Sequence, residues 1–135
     1  MATIDELRKI RLKKLEAMKR ALINPYPEKT KRTHKIVEAL KDFNKLSSAK
    51  KEVILVGRMR SLRLHGGSLF LDIEDGSAHS TGSGQAKIQA FLRKDRLGEK
   101  RYQFFLDNFD IGDFIELRGI LFKTKRGEKT IEVAD

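Results

Sequence analysis

The residue with the clearest chemical meaning in this sequence is Phe70, which lies in a segment where apolar and polar residues alternate. Leu69, Leu71 and Ile73 share one face of the predicted strand, so Phe70 points to the opposite, polar face. An aromatic ring on such a face suits stacking with an unpaired nucleobase, which contributes about 1–3 kcal/mol per base. The alternative is that the N-terminal helices or a partner subunit cover the ring.

The next predicted strand repeats this alternation. Ile88, Ala90 and Leu92 form its apolar face, and Gln89 projects outward together with Lys87. A glutamine amide can both donate to and accept from a base edge, which recognition of an unpaired base requires. Surface glutamines are common, so Gln89 gains meaning only beside Phe70.

Charged residues accompany these two strands. Positive charge suited to phosphates or base edges is concentrated on the first predicted strand, at Arg58, Arg60 and Arg63. The face that Arg63 occupies is left open, because Gly57 indicates a bend or bulge that could shift the register. Glu128 and Glu132 project outward from the last strand. A carboxylate on such a surface repels phosphate, so it suits a base amino or imino group.

The elements that must position these residues follow from periodicity. Five strands are predicted at residues 53–65, 68–74, 87–93, 113–123 and 128–133, with a helix at 95–108 between the third and fourth. This order predicts an α+β, mainly β fold: a five-stranded OB-fold Greek-key barrel, preceded by an N-terminal helical arm. A small unrelated barrel would give the same pattern.

The arm contains two predicted helices. Thr3 and Glu6 form a capping box, and the first helix runs from there to a corner at Asn24-Pro25-Tyr26-Pro27. A second helix is predicted at residues 34–44, followed by a polar hinge at residues 45–51. We therefore predict two domains: a basic helical arm at 1–51 and a barrel at 52–135, with a flexible Gly/Ser-rich loop at about 76–86.

The net charge of +10 is distributed unevenly. Residues 1–51 contain 15 Lys and Arg against 6 Asp and Glu, whereas residues 52–135 contain 14 against 13. A basic arm of this kind indicates a polyanionic partner such as nucleic acid, or else a solvated helix face that maintains solubility.

Catalytic and metal-binding patterns are not found in the sequence. Cysteine is absent, and His34, His65 and His79 lie on separate predicted elements, so no metal site is expected. No phosphate-binding loop or nucleophile elbow is present, so we predict no catalytic residues. The longest apolar run has four residues, and no secretory signal is evident, which favours a cytoplasmic protein without a membrane segment.

Several segments, taken in order, resemble one family. They are Asn24-Pro25-Tyr26-Pro27, Val56-Gly57-Arg58-Met59, Phe70, Asp75-Gly76, Lys87-Ile88-Gln89, Leu92-Arg93-Lys94-Asp95, Asp110-Ile111-Gly112-Asp113 and Phe122-Lys123-Thr124-Lys125-Arg126-Gly127-Glu128. Together they resemble the N-terminal anticodon-binding domain of bacterial-type class II lysyl-tRNA synthetases over nearly the whole chain. The Gly/Ser-rich segment after Asp75-Gly76 departs from the family, which makes this turn in a few residues.

The resemblance implies roles for individual residues in binding the anticodon stem-loop of the lysine tRNA. Phe70 matches the aromatic that stacks on the middle base, Arg63 and Gln89 match residues that hydrogen-bond to that base, and Glu128 matches a carboxylate that helps to recognise an adjacent base. Further basic residues are expected to contact the RNA backbone. They are Arg58, Arg60, Lys87, Lys125 and Arg126.

The resemblance also implies that the parent protein is a lysine–tRNA ligase, which uses ATP and Mg²⁺ and forms a homodimer. The class II catalytic domain is expected after Asp135, so this chain alone is expected to be inactive and to need no cofactor. Three other interpretations stay open: a free-standing OB-fold protein that binds single strands without sequence choice, the corresponding domain of an aspartyl- or asparaginyl-tRNA synthetase, and a structural role at a dimer interface.

Overall fold

The computed structural model of the chain describes residues 3–21, 30–77 and 86–134. The helices are α1 (Ile4–Arg20), α2 (Ile36–Lys41), α3 (Phe43–Ser48), α4 (Lys94–Leu97) and α5 (Glu99–Asn108). The strands are β1 (Glu52–His65), β2 (Ser68–Glu74), β3 (Lys87–Arg93), β4 (Phe114–Lys123) and β5 (Lys129–Val133). The predicted corner at residues 24–27 and most of the predicted flexible loop lie outside the described residues.

The five strands form a closed barrel in the order β1-β2-β3-β5-β4. All neighbouring pairs are antiparallel except β3 and β5, which run parallel because a closed barrel with an odd number of strands cannot be antiparallel throughout. The predicted mainly β OB-fold architecture, with its helical insertion between the third and fourth strands, is therefore confirmed. Inward-facing side chains of all five strands fill the barrel, among them Leu55, Leu71, Ala90, Leu117 and Ile131.

The irregularity in β1 lies three residues beyond the expected position. The register with β2 shifts between Met59 and Ser61, so Arg60 is the extra residue of a bulge. Gly57 has a different role, because a Cβ atom there would lie 2.9 Å from the carbonyl oxygen of Glu74. Beyond the bulge, Arg63 lies directly opposite Phe70, which assigns both side chains to one face.

The helices differ in detail from the prediction. The second arm helix is interrupted at Asp42, and residues predicted as a polar hinge continue as α3, since Leu46 packs into the core. The helix predicted at 95–108 is divided at Gly98, whose φ of 92° lies in the left-handed region. Ile36, Ala39 and Phe43 belong to the same apolar cluster as the barrel. The proposed division at residue 51 stays a prediction.

Helix α1 begins with the predicted capping box, in which the Glu6 amide donates to the Thr3 hydroxyl and the Thr3 amide to the Glu6 carboxylate. None of its residues is buried, and it lies along α5. Ion pairs hold it there: Lys14 is 2.6 Å from Asp110, and Arg11 is 3.2 Å from Asp113. Part of the positive charge of the arm is thus neutralised within the molecule.

Hydrogen bonds to the Asp75 side chain join the arm to the barrel. Its carboxylate accepts hydrogen bonds from the amides of Ile36 and Ser77, both at 2.9 Å, and from the Ser77 hydroxyl. Lys35, at the start of α2, makes no side-chain capping bond. Asp75 therefore caps α2 from a distant part of the chain.

We expect Asp75→Ala to lower the free energy of unfolding by about 1–3 kcal/mol, because it leaves the Ile36 amide buried without its acceptor. Chemical denaturation followed by circular dichroism measures this change. Asp42→Ala is the matched control, since Asp42 is exposed and its side chain caps no helix. Equal stability of the two variants would contradict the assigned role.

Candidate nucleic-acid interface

Two rows of directly opposed residues cross the outer face of β1, β2, β3 and β5. One row contains Arg63, Phe70, Phe91 and Glu132. The parallel row contains Ser61, Asp72, Gln89 and Thr130. Opposed residues project from the same side of a sheet, so the rows form one continuous surface. Three of the four predicted anticodon-binding residues, Arg63, Phe70 and Gln89, are brought together here.

A chain of hydrogen bonds runs beside Phe70. The Arg63 guanidinium donates to the Gln89 side-chain oxygen at 3.0 Å and lies 3.6 Å from the Asp72 carboxylate. The Ser61 hydroxyl donates to Asp72 at 2.7 Å. On the other side, the Gln89 amide nitrogen donates to the Thr130 hydroxyl at 3.1 Å. These bonds hold the polar groups in place before any ligand arrives.

The network also determines the orientation of the Gln89 amide. The fully buried Thr130 hydroxyl donates its proton to the carbonyl oxygen of Glu128, so it must accept from Gln89. The Gln89 NH₂ group therefore faces Thr130, and its oxygen faces the cationic Arg63. The reverse orientation would place donors against the guanidinium. One N–H of Gln89 and further N–H groups of Arg63 stay available for a ligand.

Phe70 belongs to an aromatic cluster. Its ring stacks on Phe91 with a centroid separation of 4.6 Å and an interplanar angle of 17°, and His65 packs against its edge at 5.9 Å. Phe122 lies 6.2 Å beyond Phe91. Phe91 was not among the predicted site residues, although its alternation with Lys87 and Gln89 was sufficient to place it on this face. Phe70 is half-buried, and the rings that pack against it, Phe91 and His65, belong to the barrel and not to the N-terminal helices.

The remaining predicted residue, Glu128, joins the network only through its carbonyl oxygen, which accepts from Thr130, and not through its carboxylate. It is exposed at the end of the tight turn between β4 and β5, where Gly127 adopts a φ of 84°. Its carbonyl oxygen accepts from the Thr124 amide at 3.0 Å, which closes the turn. Lys125 and Arg126 occupy the same turn and are also exposed. The side chains of all three are therefore accessible to a ligand on the adjacent face.

The other candidate backbone contacts are partly engaged. Arg60 lies 2.8 Å from the buried Glu74 carboxylate, and Lys87 lies 3.9 Å from the same group. Arg58 places its guanidinium 4.6 Å from the ring centroid of Phe114 on β4. Because Glu74 neutralises part of this charge, Arg60 serves first to satisfy a buried carboxylate.

Comparison with protein families gives the context of this surface. The profile of the tRNA anticodon family, described as an OB-fold nucleic acid binding domain, matches residues 53–135. The chain belongs to this family. The region that matches the family begins at residue 53, one residue after the predicted start of the barrel.

Several bacterial lysine–tRNA ligases resemble this OB domain and its arm together. The ligase of Thermosipho melanesiensis is 39% identical over 98% of this chain, which corresponds to 26% of the ligase. The ligase of Carboxydothermus hydrogenoformans is 38% identical over 95% of this chain and 24% of its own length. The chain thus spans about a quarter of the length of these relatives.

The end of the OB domain surface beyond Phe91 is rich in ion pairs. Arg93 binds both carboxylate oxygens of Asp95, at 3.1 and 3.0 Å, and lies 3.4 Å from Glu132. The hydrogen bond from Arg93 lowers the pKa of the Asp95 carboxyl below its ordinary value, because it stabilises the ionised form. Within the described residues no cluster of metal ligands occurs, and no helix there is long and apolar enough to cross a membrane.

Proposed function

We propose that this chain binds the anticodon stem-loop of the lysine tRNA, as the anticodon-binding domain of a lysine–tRNA ligase. One observation carries the proposal: Phe70 is flanked on its own face by Arg63 and Gln89, which are already joined by a 3.0 Å hydrogen bond. An aromatic ring beside ordered donors suits an unpaired base that stacks and is recognised by its edge. The similarity to lysine–tRNA ligases directs this site toward lysine tRNA.

The arrangement of hydrogen-bond donors and acceptors in the network favours uracil as the middle base. Uracil presents two carbonyl acceptors on either side of an N–H donor. Arg63 and Gln89 offer N–H donors to the carbonyl groups, and the Gln89 oxygen retains a second lone pair for the N–H. Cytosine places an amino group where one of those acceptors lies. If this amino group faced Arg63, one hydrogen-bond donor would lie against another. The unsatisfied donors would cost about 1–3 kcal/mol of binding free energy.

The arm supplies attraction at longer range. Arg8, Lys9 and Lys13 are exposed on α1, whereas Arg11 and Lys14 pair with carboxylates of the segment between α5 and β4. Positive charge on one segment increases association rates with a polyanion and makes affinity depend on salt.

In the full-length ligase, ATP and Mg²⁺ belong to the catalytic domain and the protein forms a cytoplasmic homodimer.

Binding to a lysine-tRNA anticodon stem-loop tests this proposal. We expect saturable binding that is about 5- to 150-fold tighter than to the same stem-loop with cytidine at the middle position, matching 1–3 kcal/mol. The logarithm of the affinity should fall linearly with the logarithm of the salt concentration. Fluorescence anisotropy measures both quantities.

Two controls separate the alternatives. A stem-loop carrying an unrelated anticodon tests sequence choice, and an unstructured oligonucleotide of equal length tests general affinity for single strands. Equal affinity for all ligands would identify a non-selective single-strand binder. A stable dimer of the isolated chain without RNA binding would identify a structural domain instead.

A further inference from the structure

Asp72 places a carboxylate among the neutral residues of the row that runs from Ser61 to Thr130. It lies directly opposite Ser61 on β1 and Gln89 on β3, and its side chain is 32% exposed. It is two residues from Phe70 on β2, so both side chains project from the same side of the sheet. A carboxylate at this position repels the phosphates of RNA, and the proposed contacts to the middle base do not include it. The contacts that Asp72 makes within the protein therefore indicate its role.

These contacts converge on the Arg63 guanidinium. Arg63 Nη1 lies 3.6 Å from the Asp72 carboxylate and donates to the Ser61 hydroxyl at 3.4 Å. The Ser61 hydroxyl donates its own proton to Asp72 at 2.7 Å, so towards Arg63 it can only accept. The other terminal nitrogen of Arg63, Nη2, donates to the Gln89 oxygen at 3.0 Å. Asp72 and Ser61 thus hold one end of the guanidinium, and Gln89 holds the other.

Arg63 keeps donors for a ligand in this arrangement. Its hydrogen bonds to the two neighbouring side chains occupy two of the five guanidinium N–H groups. Arg93 on β3 differs, because its Nε and Nη2 both donate to the Asp95 carboxylate, at 3.1 and 3.0 Å. Asp72 therefore opposes the positive charge of Arg63 without occupying a pair of its donors.

The charge of Asp72 matters because an arginine has two kinds of ligand on RNA. Its planar fork binds phosphate oxygens strongly, and such contacts do not depend on the sequence. Donation to a base carbonyl group is the contact that carries sequence information. A carboxylate 3.6 Å from the guanidinium favours the second kind, since it repels an approaching phosphate but not a neutral carbonyl group.

We propose that Asp72 is a positioning residue that sets the specificity for the middle base. It orients Arg63 toward the base edge and prevents the guanidinium from binding a phosphate instead. This role rests on the proposed binding of the anticodon loop. Asp72 acts through Arg63 and makes no contact with the base itself.

Asp72→Asn tests this role, because it removes the charge and keeps an oxygen that can accept from Ser61. Fluorescence anisotropy at several salt concentrations compares the stem-loop that carries uridine at the middle position with its cytidine counterpart. We expect the preference for uridine to fall by about fivefold or more, the equivalent of one hydrogen bond. Affinity for the cytidine stem-loop should rise, and the slope of log affinity against log salt should steepen by about 0.7, as for one added phosphate contact.

A double-mutant cycle shows whether Asp72 acts through Arg63. In the Arg63→Gln background, Asp72→Asn should change neither the remaining uridine preference nor the salt slope. Glu52→Gln is the charge-matched control, since Glu52 lies 3.7 Å from Arg118 outside the two rows, and it should leave the uridine preference unchanged. Thermal denaturation shows whether each variant folds, and Asp72→Ser takes the place of Asp72→Asn if the latter does not.

Two results would refute the role of Asp72. Equal losses of affinity for both stem-loops, with an unchanged ratio, would make Asp72 a structural residue. The same effect of Asp72→Asn with and without Arg63 would mean that Asp72 acts on the RNA directly. If the wild-type protein has no preference for uridine, the proposed function itself fails. If the wild-type protein has this preference and Asp72→Asn retains it, only the role of Asp72 fails.

Discussion

Replacing Phe70 by alanine is expected to weaken binding of the lysine-tRNA anticodon stem-loop by about 1–3 kcal/mol, or roughly 5- to 150-fold. The ring is half-buried against Phe91, so it provides a stacking surface whose position is set before binding. Its removal also leaves Arg63 and Gln89 without the platform that aligns a base with them. Anisotropy titrations of both proteins at one fixed salt concentration measure the loss.

The matched control for this substitution is Phe114→Ala. Phe114 is also an aromatic on the outside of the barrel, is 66% exposed and lies on β4 outside the two rows of the binding face. Its replacement releases Arg58 from the ring without removing the positive charge. We expect less than a twofold change in affinity for Phe114→Ala. Similar losses for both variants would mean that aromatic surface in general, and not the Phe70 site, binds RNA.

Replacing Gly119 by alanine is expected to destabilise the fold by about 2–4 kcal/mol, the largest effect on stability that we predict. Gly119 lies in the middle of β4, opposite Val133 of β5. A Cβ atom there would overlap the carbonyl oxygen of Glu132 and lie 2.8 Å from its carbonyl carbon. Because these are backbone atoms, relief requires that β5 move away from β4 and that the barrel open locally.

Denaturant unfolding of Gly119→Ala measures this cost, and Gly67→Ala is the control. At Gly67 an added Cβ atom would meet no atom within 4 Å, so little change is expected. Glu132 and Thr130 belong to β5, and the movement of this strand should also weaken RNA binding in the folded fraction. Unchanged stability of Gly119→Ala would show that the two strands are farther apart than the structure indicates.

The alternation of apolar residues was sufficient to predict the strands that carry the site. Residues 68–74 and 87–93 are β2 and β3 with the predicted bounds, and Phe70 and Gln89 project from the predicted face. This prediction succeeded because the face on which a side chain projects depends only on its position along its own strand. The family and the barrel architecture are confirmed as well, whereas the roles of Arg63, Phe70, Gln89 and Glu128 in binding stay predictions.

Features that depend on pairing between strands could not be predicted in this way. The face of Arg63 was undecided, because it depends on a bulge at Arg60 that exists only in the register with β2. The engagement of Arg60 by the buried Glu74 likewise requires two strands to meet. The same is true of the stacking of Phe91 on Phe70 and of the Arg63–Gln89 hydrogen bond.

The sequence by itself determined that Phe70 is an aromatic on a polar face, that basic charge is concentrated in the arm, and that the strand order is that of an OB barrel. These are local properties, set by residue type and by periods of two or 3.6 residues. The tertiary structure decided which cations are already neutralised and which side chains meet. Distances across strands depend on register and closure, and residues far apart in the sequence set these jointly.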